Sequence, residues 1–297
     1  MSYLNALPGA IAQGMIWGIM AIGVYITYKL LDIADLTVDG SICTGACVFA
    51  VLTVSGVNVW ISMLVAFIAG AVMGLVTGIF HTFMGIPAIL AGILTQLILW
   101  SVNLKILGKS NQSVPSAKYP VVVSISGEKW KTILVILAFC AVIIALLYWF
   151  FGTERGCSIR ATGCNINMSK AQGINTNVNK IIGLMLSNGI VALSGALICQ
   201  YQGFADINMG RGAIVIGLAA VIIGEAVFGR ISSNFAVQLS AVIGGGIIYY
   251  IVYQTVIFLG LDTDLLKMMS AVVVAIFLAV PYWKGKYFSK VKKKEVK

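Results

Sequence analysis

Charge is scarce in this chain. Of 297 residues, 10% are Asp, Glu, Lys or Arg, where soluble domains carry about 25%. Hydrophobic residues make up 60% of the sequence and the mean hydropathy is +0.99. A single soluble core is excluded, because there is too little polar surface to cover one. Histidine is almost missing: His81 stands alone, which removes the His-rich patterns that hold catalytic metals. The six cysteines, at 43, 47, 140, 157, 164 and 199, are scattered. Cys43 and Cys47 share a helix face at four-residue spacing, yet further ligands are lacking. All six are read as small packing residues, and no disulfide framework or metal site is expected.

Other absences narrow the function. The GKS at 108–110 would need a glycine at position 103 to form a phosphate-binding loop, and Asn103 stands there; no ATP site is expected in this chain. No nucleophile has a base nearby, so no enzyme is expected. No repeated filter of carbonyls or like charges suggests a channel. Acids are few, and only Glu225 lies well inside an apolar run, AAVIIGEAVFGR, near its end; a helix-end role suits it better than a proton relay. Asp206 and Arg211 flank a Gly-rich turn, GFADINMGRG, and are read as pairing with each other rather than with an outside partner. The N-terminus has no basic n-region and no cleavage site after its first apolar run, so no cleavable signal peptide is expected.

What the chain does have is a succession of apolar stretches. A helix crosses the bilayer with about 20 apolar residues. That ruler gives about nine spans: 7–28, 33–54, 57–80, 86–102, 131–151, 180–202, 212–228, 233–258 and 266–283. The expected fold is an all-α polytopic membrane protein, with one transmembrane domain over 1–283. The second span begins with ADLTVDG (34–40), where Asp35, Asp39 and Gly40 predict a broken or late-starting helix; irregular backbone at membrane depth is tolerated only within protein or along a water-filled cavity. Pro87 suits the first turn of the fourth span. Gly70, Gly74 and Gly78 in the third predict a close helix neighbour.

The net charge of +10 is concentrated at the end of the chain. Seven lysines fall in the last fourteen residues, KGKYFSKVKKKEVK (284–297), a block that reads as a cytoplasmic anchor beside anionic lipid, not as a nucleic-acid tail. The polar segment 152–180 carries Arg155, Arg160, Lys170 and Lys180 against Glu154 and is placed on the same side. Nine spans then put the N-terminus outside. The loop 103–130 also falls outside, although it holds Lys105, Lys109, Lys118 and Lys129 against Glu128. Either it meets an acidic partner or the span count is off by one; the first reading is preferred.

Within GCSIRATGCNINMSKAQGI (156–174), residues 160–174 read as one short amphipathic helix. Ala161, Cys164, Met168 and Ala171 fall near one face, and Gly173 is placed to stop it. The stretch is too short and polar to span a membrane, and it lacks the bulky apolar face of a surface-lying helix. A cytoplasmic helix that docks into a groove on another protein fits better.

RATGCNINMSKAQGI resembles the cytoplasmic coupling loop of ABC importer permeases of the branched-chain amino acid/ribose type. Leu36–Gly40 is similar to that family's L-[ST]-V-x-G element. Residues 192–225, ALSGALICQYQGFADINMGRGAIVIGLAAVIIGE, resemble the branch of tryptophan/tyrosine transport permeases. The resemblance implies a transport subunit of a prokaryotic plasma membrane that acts by alternating access. It implies two cytoplasmic ATPase subunits carrying the ATP and Mg, a second permease copy as homodimer, and an extracytoplasmic binding protein that delivers a small molecule. Contact with the ATPase carries over to Arg160, Ala161, Gly163, Asn165, Ala171, Gly173 and Ile174. The match departs at Met168 and Ser169, where many relatives have a small or acidic residue. The pathway is expected along the broken or polar spans, at Thr37, Asp39, Thr95, Gln96, Ser187 and Asn188, each of which also suits a local helix–helix hydrogen bond. Lys105, Lys109 and Lys118 are expected to meet the binding protein. Aromatic amino acids are the expected cargo, with branched-chain amino acids, nucleosides and sugars as alternatives. A stand-alone secondary transporter would show paired midplane acids or an inverted repeat, and neither stands out. A receptor or scaffold that only docks a cytoplasmic partner is the third alternative.

Overall fold

The computed structural model describes residues 3–116, 118, 119, 121–124, 129–229 and 234–258, and isolated helical positions at 268, 271, 272, 275 and 279. The helices are α1 Tyr3–Tyr25, which continues as a π-helical turn over Ile26–Leu30, α2 Val38–Val54, α3 Val59–Thr82, α4 Ala88–Leu107, α5 Lys129–Gly152, α6 Glu154–Cys164, α7 Ile166–Ala171, α8 Thr176–Gln202, α9 Ala213–Phe228 and α10 Phe235–Phe258. Two three-residue strands, β1 Asn111–Ser113 and β2 Phe204–Asp206, pair antiparallel, with Asn111 opposite Asp206.

Six of these helical stretches are long and apolar enough to cross a membrane: Ala6–Leu30, α3, α4, α5, α8 and α10. The chain is a mostly helical, multi-pass membrane protein. The second and seventh predicted spans fall short. With 17 and 16 residues, α2 and α9 reach only about 25 Å at roughly 1.5 Å per residue, less than the roughly 30 Å hydrocarbon core. As the acids of ADLTVDG predict, α2 starts late, at Val38, after an irregular stretch over 31–37 that is buried at Asp35 and Thr37. The ninth predicted span, most of whose residues are outside the described ones, and the lysine block at 284–297 are not assigned a structure.

Successive crossings sort the connections to two ends. One end gathers Leu30, the α3–α4 turn, α6 and α7, and the entry to α10. The other gathers the α2–α3 turn, 108–124 and the β1–β2 ribbon. Contacts between sequence-distant residues hold this arrangement: Gly163 packs on Leu30, and Lys29 pairs with Glu225 at 3.0 Å with both side chains half exposed. That ion pair places Glu225 at a helix end, in the role its position in the sequence suggests.

α1 and α8 are the inner helices, with 83% and 72% of their apolar windows buried, whereas α3, α4 and α5 bury only 33%, 28% and 22%. Their outward faces carry Trp60, Leu64, Leu97, Trp130, Leu146 and Trp149, an apolar exterior suited to lipid or another helix. Inside, small residues set the spacing. A Cβ added at Gly70 or Gly74 would overlap the carbonyl oxygens of Asn188 and Leu184 on α8, and one at Gly78 would press on Ile181. The glycine row foreseen in α3 therefore seats α8, because only a missing side chain lets the backbones come so close. Hydroxyls add hydrogen bonds across the same core: Ser187 Oγ donates to the Gly23 carbonyl at 2.7 Å and Ser194 Oγ to that of Ile16 at 2.8 Å.

Candidate functional site

The irregular stretch before α2 is anchored by a buried carboxylate. Asp35, 3% exposed, accepts from the Thr37 amide at 2.9 Å and from Asn188 Nδ2 at 2.7 Å. Asn188 is fully used: Nδ2 also donates to the Leu184 carbonyl at 3.0 Å, and Oδ1 accepts from Ser41 Oγ at 2.6 Å. Thr37 continues the polar network to α3 and α4. Its hydroxyl meets that of Thr77 at 2.8 Å, Thr77 donates to Thr95 at 2.9 Å, and Thr95 donates to the Ala91 carbonyl at 3.0 Å. Each hydroxyl has one proton, and Thr77 Oγ1 also lies 3.2 Å from the Met73 carbonyl, so its proton serves either Thr95 or the backbone of its own helix.

Of the residues expected along a pathway, Thr37, Thr95, Ser187 and Asn188 thus lie buried in helix-to-helix hydrogen bonds. Asp39 and Gln96 instead line a cavity of about 370 Å³ between α2, α4 and the turn before α9. Its other walls include Cys43, Ile93, Trp100, Asn103 and Arg211. Gln96, Trp100 and Asn103 follow one another at i, i+4 and i+7, one helix face; that spacing was available in the sequence, and it marks Asn103 as the residue missed there. Asn103 is 1% exposed, and its Oδ1 is buried without a hydrogen-bond partner among the described residues. A buried acceptor left in that state costs about 1–3 kcal/mol.

Asp39 has two roles at this cavity. Standing in the first turn of α2, it accepts from the amides of Gly212 at 2.9 Å and Ile214 at 2.8 Å, at the start of α9. One carboxylate therefore faces the positive ends of two short helices. Arg211 does not pair with Asp206, contrary to the pairing expected from sequence. Asp206 accepts from the Asn208 amide at 2.7 Å to close a tight turn, and the exposed Arg211 lines the cavity. The turn needs its carboxylate locally, which leaves the guanidinium free to face the opening.

The polar segment at the opposite end is two helices, not one. Asn165 breaks it with extended backbone, φ −158° and ψ 103°, and caps α7 by accepting from the Met168 amide at 3.0 Å. An Asn in this position competes with the helix for its own backbone. The stop at Gly173 is as expected: it adopts φ +76° just after α7. The break undoes the single apolar face proposed for 160–174. Met168 and Ile166 are exposed at 63% and 39%, and Cys164, Asn165, Ala171 and Gly173 are exposed, with Ile174 half-buried. Cys157 is exposed as well, so only Cys43, Cys47, Cys140 and Cys199 act as buried packing residues.

α6 is the half that holds to the membrane helices. Asn179 Nδ2, on α8, donates to Ser158 Oγ at 2.7 Å and Thr162 Oγ1 at 2.9 Å. A Cβ on Gly163 would overlap the Leu30 carbonyl. Arg160 turns inward: its guanidinium lies 4.2 Å from the Phe235 ring centroid and 5.6 Å from that of Phe151. Ala161, like Arg160, is half-buried. Beside this hairpin a second cavity of about 380 Å³ is lined by Asp32, His81, Gly163, Ile166 and Lys180. There His81 Nδ1 faces the Ile86 carbonyl at 3.0 Å and Nε2 faces Lys180 Nζ at 3.3 Å.

At the far end, Lys105, Lys109 and Lys118 are all exposed. The loop that bears them is tied to the body by the β1–β2 pairing and by the Val122 amide, which donates to Gln200 Oε1 at 3.0 Å. Among the described residues no group of His, Cys, Asp or Glu could hold a metal ion.

Comparison with known proteins agrees with this architecture. Residues 7–281 match the family described as branched-chain amino acid transport system, permease component. The chain is 40% identical over 276 residues to a tyrosine transport system permease protein of Clostridioides difficile (strain R20291), covering 93% of this chain and 91% of that one. It is 33% identical over 279 residues to an uncharacterized protein of Rickettsia prowazekii (strain Madrid E), covering 93% and 98%. An autoinducer 2 import system permease protein of Yersinia pestis (strain Pestoides F) is 30% identical over 214 residues, 69% of this chain and 58% of the relative. Among solved structures, PsaBC from Streptococcus pneumoniae in complex with Fab aligns over 96% of both chains with a TM-score of 0.53 at 16% identity, a likeness of fold. The relatives named for a function are transport permeases and not enzymes, and the chain belongs to the permease-component family of branched-chain amino acid transport systems.

Proposed function

We propose that this chain is the membrane subunit of an ATP-driven importer for an amino acid, with aromatic amino acids as the first candidates. The observation that carries the reading is the likeness, along nearly the whole chain, to a tyrosine transport permease. The chain sits in the plasma membrane with 152–180 and the lysine-rich end in the cytoplasm and the N-terminus outside, a reading supported by Arg155 on α6, Lys170 on α7 and Lys180 in the first turns of α8 and by the bias of basic residues to the cytoplasmic side. Residues 1–283 form its permease domain. Two such copies pair around the pathway, and two separate ATPase chains bind ATP and Mg below them.

Coupling runs through α6 and α7 in two parts. The exposed half, Asn165, Ile166, Met168, Ala171 and Gly173 with Ile174 behind them, meets the ATPase. The half-buried residues Arg160, Ala161 and Gly163 transmit its displacement to α1, α8 and α10. Closure of the ATPases on ATP moves this hairpin, the membrane helices rock, and the pathway opens outward; hydrolysis resets it. The outer loop with Lys105, Lys109 and Lys118 receives an acidic face of the binding protein.

Co-purification tests the assembly. Tagged wild-type chain should retain an ATPase from its own host in mild detergent, and the double variant Met168→Glu, Lys170→Glu should lose it while remaining folded. No ATPase on the wild type removes the reading. Reversing Lys105, Lys109 and Lys118 to Glu should weaken binding-protein docking most at low salt, and unchanged docking would remove that contact. Uptake of labelled tyrosine, leucine, a nucleoside and ribose by cells with and without the chain decides the cargo.

A further inference from the structure

The cavity between α2, α4 and the α9 turn joins features that the rest of the core keeps apart. It has a buried acceptor without a donor, Asn103 Oδ1. It has a carboxylate, Asp39, whose oxygens each accept one amide and have capacity for a further donor. It has a guanidinium, Arg211, without an acidic partner among the described residues. Leu97 and Trp100 add apolar and aromatic lining. Elsewhere in the core the polar groups of Asp35, Asn188 and the threonine chain satisfy one another. Asn103 Oδ1 shares its lack of a partner among the described residues with Trp17 Nε1, Thr53 Oγ1, Arg160 Nε and Gln200 Nε2, but of these five it is the one that lines this cavity.

We infer that this cavity is a binding site within the permease for the zwitterionic end of a free amino acid. The ammonium group donates to Asn103 Oδ1 and Asp39, the carboxylate accepts from Arg211, and the side chain lies against Trp100. A guanidinium matches a planar carboxylate in two parallel bonds, and an ammonium supplies the donors that a carbonyl and a carboxylate lack. The volume, about 370 Å³, is at the small end of the roughly 300–1,000 Å³ that small-molecule sites occupy, the scale of one small metabolite. A sugar would answer the acceptors but gives Arg211 no anion. The inference rests on the proposed import of amino acids and adds that the membrane subunit itself reads the zwitterion.

Binding of radiolabelled tyrosine to the purified chain with its ATPases in lipid nanodiscs, without binding protein, tests it. Wild type should bind tyrosine, and excess unlabelled tyrosine should compete where tyramine, which lacks the carboxylate, and N-acetyltyrosine, which lacks the ammonium, do not. Arg211→Gln should weaken tyrosine binding about tenfold to a hundredfold, the loss expected for one charge-assisted hydrogen-bonded pair, and should abolish the preference for tyrosine over tyramine. Asn103→Leu, which matches the size and removes the unpaired acceptor, should weaken tyrosine binding without unfolding the protein. Competition by tyramine equal to that by tyrosine, or unchanged binding in Arg211→Gln, overturns the inference. If cells import tyrosine through this chain but no binding is seen in nanodiscs, the cavity site is wrong and the importer reading stands. If leucine alone is imported and leucine alone binds with the same dependence on Arg211, the zwitterion site stands and the aromatic cargo falls.

Discussion

Asp39 and Ile214 stand 175 positions apart, and a 2.8 Å hydrogen bond joins them, from the Ile214 amide to Asp39 Oδ1. With the Gly212 amide on Oδ2 at 2.9 Å, this carboxylate caps α9 from the neighbouring element. The two short helices therefore meet at their starts, beside the cavity, and one carboxylate serves the first amides of α9. Asp39→Ala should lower the stability of the detergent-purified protein by about 1–2 kcal/mol, the usual cost of a lost cap, read as a fall in the thermal midpoint. Asp39→Asn keeps an acceptor and should lose less. Equal midpoints for wild type and Asp39→Ala would show that α9 does not depend on this cap.

A second carboxylate makes a different demand. Asp35 is buried and tied to Asn188 at 2.7 Å, so Asn188→Leu would leave it short of a donor in a site of low polarity. A loss of about 1–3 kcal/mol is expected, and the double variant Asp35→Asn, Asn188→Leu should recover part of it, because the acid that needs the donor is then gone. A double-mutant cycle on thermal midpoints measures this coupling. Strictly additive effects would mean that the bond adds little to the fold.

How far the sequence reaches follows from the kind of contact involved. Apolar run length is a local property, and it placed α3, α5, α8 and α10 within a few residues. Acids before an apolar run cannot sit in lipid, so ADLTVDG announced the late start of α2. Contacts between distant segments were not legible in this way. Nothing near Arg211 tells that it lines a cavity with Asp39 and Trp100, and nothing near Arg160 tells that Phe235, on α10, lies beneath it. Asn165 misled for a local reason: helix pattern was read through a residue whose side chain prefers to cap a helix. Thr37, Thr95, Ser187 and Asn188 show the limit for pathways, since a polar residue in a span serves a neighbouring helix as readily as a solute.

The glycine row of α3 gives a sharper test of packing. At Gly74 an added Cβ would overlap the Leu184 carbonyl oxygen on α8, and a backbone cannot swing aside as a side-chain tip does. Gly74→Val should destabilise by more than the usual 1–3 kcal/mol of overpacking and sharply reduce the amount of folded protein in the membrane. Gly152, with nothing within 4 Å of its added Cβ, is the control: Gly152→Ala should leave yield and thermal midpoint unchanged. Normal yield of Gly74→Val would show that α3 and α8 are free to separate.

Arg160 and Met168 separate the two parts of the polar segment. Resemblance alone assigns Arg160 to the ATPase, but its guanidinium lies over Phe235 and its Nε is buried without a hydrogen-bond partner among the described residues, an arrangement that favours the aromatic faces as its principal contact. Met168 is 63% exposed on α7. Arg160→Glu should lower the thermal midpoint of the permease by itself, with no ATPase present, because a carboxylate would face the negative faces of Phe235 and Phe151. Met168→Glu should leave that midpoint within error and reduce ATPase retention. Arg160→Lys should retain part of the stability, since an ammonium preserves the charge over the rings but not the planar stacking. If Arg160→Glu leaves the isolated permease as stable as wild type and only Arg160→Glu releases the ATPase, the inward placement of this side chain is not what sets its role, and the docking surface includes Arg160 after all.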